Sequence, residues 1–149
     1  MNTTNKCNDT INEASSDDHY RQIAIRSCEE LQSISSGQLQ DEMIALARKR
    51  LNGDVHSEEV EDLRLRTVAA YDGMYDGFSA PSSQVFAFSA FGSTAFTEDP
   101  KVAARSALDF QAKAVATAAG ELDEQNFDEV FESTYQLERE RQEKQWGRI

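Results

Sequence analysis

The stretch from Thr67 to Pro100, TVAAYDGMYDGFSAPSSQVFAFSAFGSTAFTEDP, decides how the chain reads. It holds seven of the thirteen aromatic residues and neither Lys nor Arg, whereas the text on both sides is charged and helix-patterned. From Gln84 to about Thr97, Val85, Phe88, Gly92 and Ala95 share one helical face. Phe86, Phe91 and Phe96 crowd nearby positions, and only Gln84, Ser89, Ser93 and Thr94 are polar. A helix apolar on nearly every side belongs at a buried centre. Phe and Val also suit strands, but the residues do not alternate with period two, and small Ala, Gly and Ser favour close helix packing. Just ahead stands a near-repeat, Tyr71-Asp72-Gly73-Met74 and Tyr75-Asp76-Gly77-Phe78. On a helix this stacks Tyr over Tyr and Asp over Asp. Gly77 reads as a helix end, and the Ser79–Ser83 run with Pro81 as a turn.

Working back from the centre, Ser57 is a candidate cap for a helix whose first turns carry Glu58, Glu59, Glu61 and Asp62. Carboxylates there suit the positive end of the helix dipole. Val60, Leu63, Thr67, Tyr71 and Met74 form its apolar face. The preceding helix opens on a possible capping box, Ser35 to Gln38, carries Leu39, Met43, Leu46 and Arg50 in one row and Ile44, Ala47 and Leu51 in the next, and ends in Arg48-Lys49-Arg50 before Asn52-Gly53. A first helix is expected from an Asp17 or Asp18 cap to about Ser33, with Tyr20, Ala24, Cys28 and Leu31 on one face, widened by Ile23 and Ile34. Residues 1–16, rich in Asn, Thr and Ser, read as a disordered or loosely docked leader.

Working forward, Asp99-Pro100 is a helix start: Asp as cap, Pro at the first helical position. The helix to about Gly120 carries an inner stripe of Ala103, Ala107, Phe110, Ala114 and Ala118. A last helix opens at Asn126-x-x-Glu129, a second possible capping box, with Phe127, Val130, Phe131, Thr134 and Leu137 inward. It continues through a charged segment, with Glu140 and Lys144 four apart, to Trp146. The expectation is an all-α, single-domain bundle of about six helices over residues 17–149, with a Phe/Ala-rich central helix.

Length and composition bound the function. One domain of 149 residues, 39% hydrophobic and 28% charged, can bury a core. The formal net charge of −12 disfavours direct nucleic-acid binding, which needs Lys and Arg to displace counterions. It favours a basic partner. Cys7 and Cys28 read as free thiols of a reducing compartment. The N-terminus lacks a secretory apolar region, and no run is long enough to span a membrane, so the expected location is cytoplasmic.

The chemistry of sites is sparse. His19 and His56 have no metal-ligand spacing, and there is no Cys-x-x-Cys, phosphate-binding glycine loop or nucleophile triad. No enzyme and no cofactor are expected. Asp72 and Asp76 could hold a hard cation only with help from another helix; otherwise they read as exposed carboxylates and are counted with the candidate partner-binding residues. Two acidic clusters stand out as candidate partner-binding residues. Asp54, Glu58, Glu59, Glu61 and Asp62 form the first. Glu121, Asp123, Glu124, Asp128, Glu129 and Glu132 form the second, and no Lys or Arg occurs in residues 114–138. Either cluster is a solvated face or a surface complementary to a basic cleft, which would speed association.

The segment ARKRLNGDVHSEEVEDLRLRTVAAYDGM (residues 47–74), the alanine-rich KVAARSALDFQAKAVATAAG and the ERERQEKQW tail together resemble alanine-rich helical immunity proteins of bacterial polymorphic toxin systems. Leu51-Asn52-Gly53, the Glu58–Asp62 run, Ala103–Ala119 and Glu138–Trp146 carry the likeness, and the phenylalanine-rich central helix departs from it. The resemblance implies a protein that binds and neutralises a cognate toxin, a nuclease for example, by occluding its active or substrate-binding surface. The alternative is an acidic inhibitor that mimics nucleic acid to block a host defence or nucleic-acid-binding enzyme.

Overall fold

Six α-helices follow one another: α1 (Asn2–Glu30), α2 (Gln38–Leu51), α3 (Ser57–Asp76), α4 (Ser82–Phe96), α5 (Pro100–Glu121) and α6 (Phe127–Trp146). Single turns of 3₁₀ helix lie at Leu31–Ser33 and Glu124–Asn126. The computed structural model describes residues 2–76 and 82–149, with side chains for 16–74 and 82–149, and among these there is no strand. The expected leader 1–16 thus lies almost wholly outside the described side chains. So do Tyr75, Asp76 and Phe78. The expected end at Gly77 and the Pro81 turn fall outside the described residues.

α4 sits at the centre, packed on α1, α2, α3 and α5, while α6 lies against α5. Phe88 and Phe91 are wholly enclosed, with Cys28, Leu31, Met43, Leu46, Leu63 and Ala114 among the buried residues of the same cluster. Burying each ring is worth roughly 1.5–3 kcal/mol. Alanines permit this enclosure: Ala87, Ala90 and Ala95 on α4 and Ala103, Ala107 and Ala114 on α5 are fully buried, so neighbouring backbones approach closely. A smaller cluster of Ile23, Ala104 and Leu108 is covered by Tyr20, Trp146 and Ile149. The Trp146 ring therefore anchors the end of α6 to α1 and α5, with His19 edge-on at 6.2 Å.

Helix ends show where local signals held. Asp99 caps α5, its Oδ1 accepting from the Val102 N–H at 3.0 Å. Gly53 takes a left-handed φ of 70° after the basic last turn of α2. Four expected caps are not formed. α2 begins after Gly37, whose φ of 154° and ψ of 179° belong to a region open almost only to glycine. Ser35 instead accepts a hydrogen bond from Gln40 at 3.0 Å. Asn126 precedes α6 without capping it, because its amide turns back towards Asp123. Asp17 and Asp18 lie inside α1, which starts well before them. At α3 the His56 carbonyl accepts the Val60 N–H at 3.2 Å, so His56 holds the cap position expected of Ser57.

On α6 the inner face drifts from the expected one. Leu137 is 65% exposed, while Gln142 is 2% exposed. Phe127, Phe131 and Tyr135 stack at 6.2 and 6.0 Å along the first turns. Gln142 is then buried by full hydrogen bonding. Its amide donates to the Leu108 carbonyl at 2.8 Å and to Gln111 Oε1 at 3.2 Å, and its oxygen accepts from Arg139 at 2.9 Å. Gln111 continues the network into α1, accepting from the Ser27 hydroxyl at 2.9 Å and donating to Glu30 at 2.6 Å. Among the described residues no ion pair joins Glu140 to Lys144. The pairs formed there are Arg141 with Glu138 and Arg148 with Glu143.

Candidate functional site

The two acidic clusters lie at opposite ends of the bundle. α3 and α4 run antiparallel: Arg64 lies over the Phe96 ring at 5.6 Å, and Tyr71 stacks on Phe88 at 6.2 Å. The start of α3, with the first cluster, therefore neighbours the end of α4. The start of α4 is joined to the end of α5, where Glu121 receives the Ser83 N–H at 3.2 Å and the Ser83 hydroxyl at 3.0 Å. The fifteen residues of α4 separate the two ends by about 22 Å at the helical rise of 1.5 Å per residue.

The two clusters differ in what their carboxylates face. In the first, Glu59 is paired with Lys49, Glu61 with Arg64 at 3.6 Å and Asp62 with Arg66 at 2.9 Å. His56 stands 4.0 Å from Asp54. Lys49 is raised above its usual range by its hydrogen bond to Glu59, and Arg66 by its bonds to Glu42 and Asp62. Only Glu58 of this cluster has no partner among the described residues. Two of these pairings, Glu61 with Arg64 and Asp62 with Arg66, have the three- and four-residue spacings of helical ion pairs, so the sequence itself carried the signal.

The second cluster occupies the elbow between α5 and α6. Glu121 is committed to the first turn of α4, and Asp123 accepts from the Asn126 amide at 3.4 Å. Glu124, Asp128, Glu129 and Glu132 are exposed and meet no cation among the described residues. Asp128 and Glu129 lie in the first turn of α6, where the dipole favours them, which accounts for part of their placement. Leu122 projects beside them, 91% exposed. Sequence reading identified the acids but not this leucine, which no periodic apolar pattern marks. Asp72, exposed on the second half of α3, lies towards this same end of α4, and the side chain of Asp76 is outside the described set.

The elbow is closely packed. Gly120 lies against the Phe127 ring, so the chain turns from α5 to α6 in close contact. The resulting surface combines unneutralised carboxylates with one apolar contact. Such a surface can attract and dock a cationic partner, but it carries no nucleophile with a base beside it.

Elsewhere the chemistry is quiet. Burial pushes the Cys28 thiol up to about 12, although its hydrogen bond to Thr94 at 3.2 Å opposes the shift. It is a neutral core group rather than a nucleophile. Among the described residues no three His, Cys, Asp or Glu side chains gather as a metal site, and no helix is long and apolar enough to cross a membrane. No protein-family model matches the chain, and neither a curated protein nor a solved structure was found similar to it.

Proposed function

We propose that this protein works by binding, presenting the α5–α6 elbow to a basic protein partner in the cytoplasm, as an immunity protein that occludes the active or substrate-binding surface of a cognate toxin. One observation carries the reading: acidic side chains at the elbow meet no cation among the described residues, whereas those at the start of α3 are mostly neutralised. Uncommitted charge steers a cationic partner into encounter. Leu122, with its side chain in water, supplies the apolar contact that charge alone lacks. Asp123, Glu124, Asp128 and Glu129 would meet Lys and Arg of the toxin.

The test is rescue of growth. A toxin domain encoded beside this gene is expressed in a bacterial host with or without this protein. Wild-type chain restores growth; a triple reversal, Asp123→Lys, Glu124→Lys and Asp128→Lys, abolishes rescue while the protein still accumulates folded. Reversal of Glu58 and Glu61 leaves rescue intact. Full rescue by the elbow variant contradicts the reading, and broad competition with DNA or RNA for the partner would instead favour nucleic-acid mimicry.

A further inference from the structure

At the end of α6 remote from the elbow, an acidic protein assembles a basic pocket. A surface cavity of about 350 Å³ is lined by Arg105 of α5, Arg139 of α6 and Arg148 beyond it, with Glu143, Gln142 and Leu108. Its volume falls within the range of small-molecule sites, roughly 300–1,000 Å³. Its charge is cancelled only in part, the Arg139 guanidinium also acting on the Asp109 carboxyl group. Arg148 is paired with Glu143, and Arg139 donates to the neutral Gln142 at 2.9 Å. Arg105 forms no hydrogen bond or ion pair with any described residue. Among the lining side chains, three guanidiniums stand against one carboxylate.

The pocket is also built, not incidental. Gly147 adopts a φ of 79°, a conformation unfavourable for other residues, and its N–H closes on the Glu143 carbonyl at 2.8 Å. Beyond it Ile149 packs against the cluster of Ile23, Ala104 and Leu108, and Arg148 lines the pocket. The wall is fixed from within by Gln142, whose side-chain nitrogen and oxygen both have partners. Guanidinium forks match carboxylate and phosphate oxygens bidentately, and a neutral amide beside them adds polarity without opposing charge.

We propose that this pocket binds a small organic anion, a phosphate ester or a polycarboxylate, gripped by Arg105 and Arg139 with Arg148 at the rim. This site lies near the opposite end of α6 from the elbow and does not depend on the immunity reading.

The experiment is calorimetric titration and thermal unfolding of the full chain with inorganic phosphate and with citrate, each against sodium chloride of equal ionic strength. Saturable binding and a concentration-dependent rise in melting temperature are expected for at least one anion. Arg105→Ala, at an exposed position, weakens that binding about tenfold or more. Arg105→Lys restores it only in part, and Lys144→Ala leaves it unchanged. Phosphate-selective binding assigns the site to phosphate esters, and citrate-selective binding to polycarboxylates. Absence of saturable binding of either anion overturns the proposal, as does binding that survives intact in Arg105→Ala.

Discussion

A β-carbon built on Gly120 would stand 2.6 Å from Cδ2 and 2.7 Å from Cε2 of Phe127. Helix propensity alone would favour Ala there by about 0.5–1 kcal/mol. The clash outweighs it, because the Phe127 ring is itself stacked on Phe131 and cannot swing away without opening that ladder. Gly120→Ala is therefore expected to destabilise the protein by about 1–3 kcal/mol. Gly73 in α3 gives the contrast: nothing lies within 4 Å of its would-be β-carbon, so Gly73→Ala is expected to stabilise by up to ~1 kcal/mol. Urea midpoints of the two variants should move in opposite directions. A Gly120→Ala protein as stable as wild type would show that the elbow is not packed as described.

α6 is held by polar contacts as much as by its rings, and this makes its docking sensitive to acid. The Tyr135 hydroxyl donates to Asp109 at 2.6 Å, and Lys113 stands 2.8 Å from the same carboxyl group. Burial pushes the Asp109 pKa up, but the hydrogen bonds from Lys113 and Tyr135, with the charges of Lys113 and Arg139, more than offset this and hold it below 3.8. A folded-state pKa below the unfolded one means that the contribution is present above about 3.8 and is lost as pH falls through the lowered folded value. Asp109→Asn should therefore lose less stability than wild type when urea unfolding is compared at pH 5 and pH 3. Parallel losses would remove Asp109 from the acid response. Much of this element order was legible in the sequence, since Asp99-Pro100, Asn52-Gly53 and the Phe-rich centre are local signals that no distant contact overrides. Gln142 was not legible, because a polar residue is admitted to the interior only by partners on α5 that are distant in sequence. Leu137 misled for the complementary reason: an apolar residue on a charged helix faces water when its turn meets no neighbour.

Across the whole molecule, a net charge of −12 is distributed unevenly between the ends. Acids at the start of α3 answer to Lys49, Arg64 and Arg66, acids at the elbow meet no cation among the described residues, and arginines gather where α6 ends. The sequence showed both acidic runs and the helical spacing of Arg64 and Arg66 to the first, but Lys49 reaches Glu59 from a different helix, which only the folded chain reveals. Exposed ion pairs contribute little stability, about 0–1 kcal/mol each, yet they cancel local field, which is what matters for attracting a partner. The elbow is proposed as the acidic surface that meets a basic partner. Titration of the ¹⁵N-labelled chain with a short polylysine peptide at low salt, followed by amide chemical shifts, tests it directly. The largest shifts are expected at Leu122–Glu124 and Asp128–Glu132, suppressed by added salt, with residues 54–62 little changed. Shifts concentrated at residues 54–62, or spread equally over both ends, would contradict it.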